Sequence, residues 1–191
     1  SITGPLVIEK GDGIYVEDNQ GKRYIEAMSG LWSVGLGFSE KRLVEAATRQ
    51  MSKLAFYHTF SHRSHGPVID LAEKLISRAP VPMSKVYFTN SGSEANDTAL
   101  KLIWYRSNAL GEPQRKKVIA RQRGYHGVTV ASASLTGLPA NHRDFDLPIA
   151  GVLHTDCPHY YRYAEPGETE DEFTTRLAKN LEDLIIKEDP D

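Results

Sequence analysis

Within Phe88 to Leu100, FTNSGSEANDTAL, two serines, a glycine and a glutamate sit between a short apolar run and a helical one. Lys85-Val86-Tyr87-Phe88-Thr89 is β-branched and aromatic, whereas Ala95, Ala99, Leu100 and Ile103 recur at helical spacing. The pattern predicts a strand over 85–89, a tight turn and a helix over 94–108. The first N–H groups of a helix lack intrahelical partners, and the aligned peptide dipoles make that end partly positive. Such a turn can receive a phosphate: Gly92 lets the backbone approach, and the hydroxyls of Ser91 and Ser93 can add hydrogen bonds. The same residues also spell a Ser-x-x-Glu capping box, Ser91 to Glu94, which needs no ligand.

A second group is Gly124-Tyr125-His126-Gly127, two rings on a backbone pinned by glycines. Tyr125 can stack on a flat cofactor, or pack beneath its loop while His126 satisfies a backbone group. Two further sets of ligand-type residues, His58, His62 and His65, and His154, Cys157 and His159, match no zinc-ligand spacing, so no metal site is expected. No Gly-x-Ser-x-Gly elbow, Gly-x-Gly-x-x-Gly fingerprint or Walker loop occurs. Asn96-Asp97-Thr98 fits a glycosylation sequon and reads as a chance match inside a helix.

The elements that must position these groups follow from periodicity. Residues 13–17 and 22–26 flank Asp18-Asn19-Gln20-Gly21 as a hairpin, and the glycine-rich stretch from Ala27 to Phe38 around Leu31-Trp32 reads as a shaped loop. Helices are predicted over 41–54 and 68–78, bracketing Phe56-Tyr57-His58-Thr59-Phe60. Beyond Pro80 and Pro82, strands at 85–89, 117–121 and 151–155 alternate with helices at 94–108, 128–135 and 170–187. This is the α/β class with a parallel sheet, in which ligands gather beyond the carboxyl ends of the strands. Both glycine-bearing loops follow strands, so they are expected on one edge.

Composition narrows the function. At 191 residues the chain can build a substantial core, and its formal charge of −2 is mixed along the sequence, which argues against a nucleic-acid partner. Its one cysteine, Cys157, rules out an intrachain disulfide framework and suits a reducing compartment, with the cytoplasm as the expectation. No apolar run approaches a membrane span, and Ser-Ile-Thr-Gly-Pro has no signal-peptide pattern, so no membrane partner is expected.

Taken together, the blocks GDGIYVEDNQGKRYIEAMSGLWSVGLG, LAFYHTF, KVYFTNSGSEANDTALK, KVIARQRGYHGVTVASASLTG and DLPIAGVLHTDCP resemble the class III pyridoxal-phosphate aminotransferases, particularly the ω-transaminases that use pyruvate as amino acceptor. The resemblance implies an α/β fold-type I enzyme. Residues 1–50 would be the N-terminal part of the small domain, with the hairpin and the Gly-Leu-Trp loop. Residues 51–191 would be the first half of the large-domain, mainly parallel sheet. It implies pyridoxal 5'-phosphate as cofactor, an amine and a keto acid as substrates, and a homodimer with active sites at the interface.

By the same resemblance, Ser91, Gly92 and Ser93 would hold the cofactor phosphate, Tyr125 would stack on the pyridine ring with His126 beside it, and Asn90 and Glu94 would flank the turn. Trp32 and Phe60 would line the substrate pocket, the indole favouring apolar or aromatic amines. The family's Schiff-base lysine lies beyond these blocks, and Lys101, inside the predicted helix, does not match it. The chain is therefore expected to be the N-terminal portion of a longer enzyme and inactive alone. Alternatives are a semialdehyde aminomutase, a 2-oxoglutarate-dependent transaminase, or a non-catalytic binding module that keeps the fold.

Overall fold

Asp18 fixes the first hairpin. Its Oδ1 accepts the N–H groups of Gln20 and Lys22, both at 2.9 Å, and its Oδ2 accepts the Tyr24 hydroxyl at 2.7 Å. Gly21 takes the positive φ of 78° that the turn requires. These donors, the Tyr24 hydroxyl foremost, hold the Asp18 carboxyl below its ordinary range. In this computed structural model, which describes residues 4–189, the flanking strands are β2 (Tyr15–Asp18) and β3 (Arg23–Ile25), paired antiparallel. A strand that periodicity did not suggest, β1 (Ile8–Asp12), completes the order β1-β2-β3. Its sequence, IEKGD, is mostly polar and exposed, so its backbone ladder with β2 defines it and no apolar face announces it.

The glycine-rich stretch after β3 contains one turn, α1 (Ser29–Trp32), of opposite hand to an ordinary helix. The φ angles are 50° at Ser29, 58° at Gly30, 59° at Leu31 and 64° at Trp32. Trp32 N–H reaches Met28 O at 2.8 Å and Ser33 N–H reaches Ser29 O at 2.9 Å. Left-handed turns cost L-residues roughly 1–2 kcal/mol each, so Ser29, Leu31 and Trp32 need an outside restraint to stay there. Two ordinary helices follow, α2 (Lys41–Lys53) and α3 (Gly66–Ile76). The second starts and stops earlier than periodicity predicts, because Pro67 seeds its first turn.

By contacts the chain divides into two units, Ser1–Lys85 and Val86–Asp191. Residues 51–85 thus group with the first unit, whereas the family resemblance draws its boundary at residue 50. Pro80 and Pro82 lie just before the division.

The second unit is built on a parallel pair. Strands β4 (Val118–Arg121) and β5 (Val152–Thr155) run side by side with Ala120 opposite His154, and helix α5 (Val130–Leu135) connects them. Around this βαβ unit stand α4 (Gly92–Ala109), the short α6 (Tyr160–Tyr163) and α7 (Glu170–Lys187). Leu100, Ala120, Ala133, Val152, Phe173 and Leu177 are its buried apolar residues. A reciprocal capping box, Thr169 with Glu172, starts α7.

The strand predicted over 85–89 does not form. Lys85–Thr89 joins no ladder among the described residues, and Tyr87 is 76% exposed. A strand exists only where a neighbour takes up its N–H and C=O groups, and the described ladder of this unit contains β4 and β5 alone.

Candidate functional site

Helix α4 begins at Gly92 with Ser91 as its N-cap. Ser91 Oγ accepts the Glu94 N–H at 3.1 Å, while Glu94 Oε2 accepts the Asn90 N–H at 2.8 Å. The capping box expected from sequence is thus half made, since the glutamate reaches one residue past the N-cap. Both interactions tie the turn down, yet the N–H groups of Gly92 and Ser93 make no hydrogen bond among the described residues. A Cβ placed on Gly92 would meet nothing within 4 Å. Two unpaired donors therefore lie at the positive end of an 18-residue helix, with open space beside the Gly92 Cα.

The loop Gly124–Gly127 comes to the same place. Val128 N–H donates to Ser93 Oγ at 3.0 Å, and Gly127, with φ 138°, sits against Ser93 and Ser132. A side chain at 127 would have its Cβ 2.7 Å from Ser132 Cβ, so the contact is backbone against side chain by necessity. Tyr125, two residues earlier, is 61% exposed and free to offer a ring face. The backbone of His126 is held from both sides: its N–H donates to Thr136 Oγ1 at 2.8 Å and its carbonyl accepts Asn96 Nδ2 at 2.7 Å.

Beneath these lies a residue that sequence reading missed. Asp97 Oδ1 accepts three hydrogen bonds, from Thr129 Oγ1 at 2.7 Å, Ser132 Oγ at 2.7 Å and the Ser132 N–H at 3.1 Å. A carboxylate on α4 thus caps the first turn of α5, whose own N-cap, Thr129, makes no side-chain cap. Ser132, Ser134 and Thr136 are fully buried and all hydrogen-bonded. The signal was available: Asp97 lies four residues after Ser93, on the same helix face.

Ser91, Gly92, Ser93, Tyr125 and His126 all lie in the second unit, and the structure gathers them at the start of α4. Trp32 and Phe60 lie in the first unit, 81% and 79% exposed. Nearby in sequence, His58 Nδ1 accepts the Phe60 N–H at 3.2 Å and the Tyr57 and His58 rings stack. No group of three or more metal-ligating side chains gathers among the described residues.

These residues fit an aromatic phosphate. The unpaired donors at Gly92 and Ser93 and the Ser93 hydroxyl suit the anion, and the exposed Tyr125 ring suits a flat heterocycle.

Comparison with known proteins identifies the family. A family model described as aminotransferase class-III matches residues 2–191. Gamma aminobutyrate transaminase 1, mitochondrial, of Solanum lycopersicum is 60% identical over 98% of this chain and 36% of its own length. A solved structure described as a transaminase with L-Ala is 78% identical, with a TM-score of 0.94, over 97% of this chain and 44% of that one. The ω-transaminase of Pseudomonas jessenii, solved in complex with PMP, is 65% identical with a TM-score of 0.95, over 98% of this chain and 41% of that one. A thermostable ω-transaminase variant with the same identity and TM-score carries substitutions at a tryptophan, a phenylalanine and an arginine, and was engineered for asymmetric synthesis of enantiopure bulky amines. The chain spans 36% to 41% of the length of the curated relatives it matches.

Proposed function

The chain belongs to the class III aminotransferases, a pyridoxal-phosphate family, and from that premise we propose that it forms the cofactor-phosphate and substrate-pocket part of an ω-transaminase. The reaction is transfer of an amino group from an amine or ω-amino acid to a keto acid, with pyruvate as the acceptor. The observation that carries this reading is the convergence of the Gly92 and Ser93 N–H groups with the Tyr125–Gly127 loop at one helix start.

When bound, pyridoxal phosphate supplies the electron sink that makes the amino group transferable. The chain's own residues do the rest of this part of the work. Gly92 and Ser93 would offer their backbone N–H groups to the phosphate, the Ser93 hydroxyl would add a donor while still accepting from Val128, and Ser91 keeps the helix start in shape. Tyr125 would cover one face of the ring and exclude water there. His126, its backbone fixed by Asn96 and Thr136, holds the tyrosine's position.

For the substrate pocket, support comes from spacing. The substituted tryptophan and phenylalanine of the variant engineered for bulky amines stand as far apart in its sequence as Trp32 and Phe60 do here. We read Trp32 and Phe60 as pocket walls that limit amine size. The named gamma-aminobutyrate relatives support ω-amino acids among the donors. Exposed apolar side chains such as Phe56 and Leu36 support a homodimer, and the single cysteine supports a reducing compartment such as the cytoplasm.

The test is to follow amino transfer in the full-length protein from an aryl-alkyl amine and from a γ-amino acid, to pyruvate and to 2-oxoglutarate. Alanine formed in proportion to amine lost supports the reading. Glutamate formed in preference to alanine moves it to a 2-oxoglutarate transaminase, and no transfer from any pair overturns it.

A further inference from the structure

The left-handed turn α1 is held by one carboxylate. Glu26 Oε2 accepts the Gly30 N–H at 2.7 Å and Glu26 Oε1 accepts the Met28 N–H at 3.0 Å. Both donors belong to the backbone that carries Trp32: Met28 O receives the Trp32 N–H, and Gly30 stands two residues before the indole. Glu26 is anchored in turn at the end of β3, where its own N–H donates to Ile14 O at 2.9 Å. The chain of restraint therefore runs from sheet to carboxylate to turn to indole.

Apart from its own backbone hydrogen bonds, Val34 N–H to Ser29 O at 2.8 Å among them, the turn has no buried side chain to keep it left-handed. Ser29, Leu31 and Trp32 adopt a conformation that L-residues avoid, and none of the α1 residues is buried. Strain of this kind persists only where surrounding contacts over-determine it. A charged acceptor that takes two backbone N–H groups is a strong contact of that sort, and both of its oxygens are used. A Cβ at position 30 would lie 2.8 Å from Val34 Cγ2, so any side chain there would have to displace the valine.

We propose that Glu26 is a positioning residue that sets amine selectivity by fixing the left-handed turn and, through it, the place of the Trp32 indole. This rests on the reading of Trp32 as a wall of the amine pocket. Glu26 touches neither substrate nor cofactor in this account. It acts only through the backbone of residues 28–32.

The test uses the full-length protein with Glu26→Ala, Trp32→Ala and the double variant. Two readouts are taken: amide hydrogen exchange over 27–34, and the ratio of kcat/KM for a bulky aryl-alkyl amine to that for a small alkyl amine. Glu26→Ala is expected to speed exchange at Met28 and Gly30 by about tenfold or more, since local opening becomes easier once the acceptor is gone. It is also expected to move the selectivity ratio in the same direction as Trp32→Ala, and the double variant to move it no further than Trp32→Ala alone, the signature of residues acting as one unit.

Unchanged exchange in Glu26→Ala overturns the restraint itself. Faster exchange with an unchanged ratio, while Trp32→Ala shifts it, overturns the selectivity role alone. A ratio that Trp32→Ala leaves unmoved removes the pocket reading, and the proposal with it. Should Glu26→Ala fail to fold, Glu26→Gln keeps the volume and one acceptor oxygen, and the same comparison then predicts a smaller shift of the same sign.

Discussion

Ser93 Oγ accepts the Val128 N–H at 3.0 Å, so a hydroxyl at the start of α4 fixes the end of the loop that carries Tyr125. Gly127 lies between them in sequence and against Ser93 in space. Gly127→Ala is therefore expected to destabilise the protein by about 2 kcal/mol or more, through steric overlap with Ser132 and a φ of 138° that a Cβ resists. Urea unfolding checks this, and a midpoint equal to wild type would mean the loop has slack that the structure does not give it.

Asp97 joins the same two elements from below. Asp97→Ala strands the Thr129 hydroxyl and the Ser132 N–H, while Ser132 Oγ keeps the Ser93 carbonyl as acceptor, which predicts a loss of about 1–3 kcal/mol. Asp97→Asn keeps an acceptor oxygen and should lose less than half as much. Because α5 and the Tyr125 loop would move relative to α4, the alanine variant should also weaken cofactor binding by about tenfold, equivalent to about 1.4 kcal/mol. Thermal unfolding with a pyridoxal phosphate titration separates the two effects; unaltered affinity would confine Asp97 to stability.

Much of this was legible in the sequence, for reasons that differ by element. Helices α4 and α7 and strands β4 and β5 carry their own apolar period, so local pattern located them. The turn Ser91–Gly92–Ser93 stood out because small polar residues and a glycine at a helix start suit an anion, whereas Tyr125 and His126 entered as cofactor contacts only through the family resemblance; the structure brings all five to the start of α4. Asp97 was passed over because it sits inside a helix whose sequence reads as ordinary surface, and its partners at Thr129 and Ser132 are distant in the chain. The strand at 85–89 was misread for the opposite reason: its residues favour a strand, but ladder pairing decides. The hand of α1 was invisible, because nothing in the local pattern announces the contact of Glu26 with the Gly30 N–H four residues ahead.

Trp32→Gly should enlarge the amine pocket. The ratio of kcat/KM for a bulky amine to that for a small one should rise by about tenfold or more, in line with roughly 1–3 kcal/mol for apolar pocket changes. Steady-state kinetics on a paired set of amines measures it, and an equal change for both members would make the indole a general support with no role in size selection.

Part of the acid sensitivity should be traceable to one ion pair. Arg176 Nε lies 2.7 Å from Glu168 Oε1, and this hydrogen bond draws the Glu168 carboxyl from 4.5 down to about 2. A depressed carboxyl stabilises the fold above its unfolded value and loses that contribution as pH falls toward its folded one. The stability gap between wild type and Glu168→Gln should thus be full at pH 7, shrink below about pH 4.5 and close towards pH 2. Denaturation midpoints across that range test it, and a pH-independent gap would assign the effect to packing.

The most direct measurement is cofactor affinity in the full-length protein, comparing pyridoxal 5'-phosphate with pyridoxal in wild type and in Gly92→Asp. Pyridoxal, lacking the phosphate, should bind wild type at least about a hundredfold more weakly, or about 2.8 kcal/mol. A carboxylate at position 92 should remove most of the preference, because it claims the unpaired N–H groups and repels the anion. Equal affinities for the two compounds, or a preference untouched by Gly92→Asp, would contradict the assignment of the α4 start as the phosphate site.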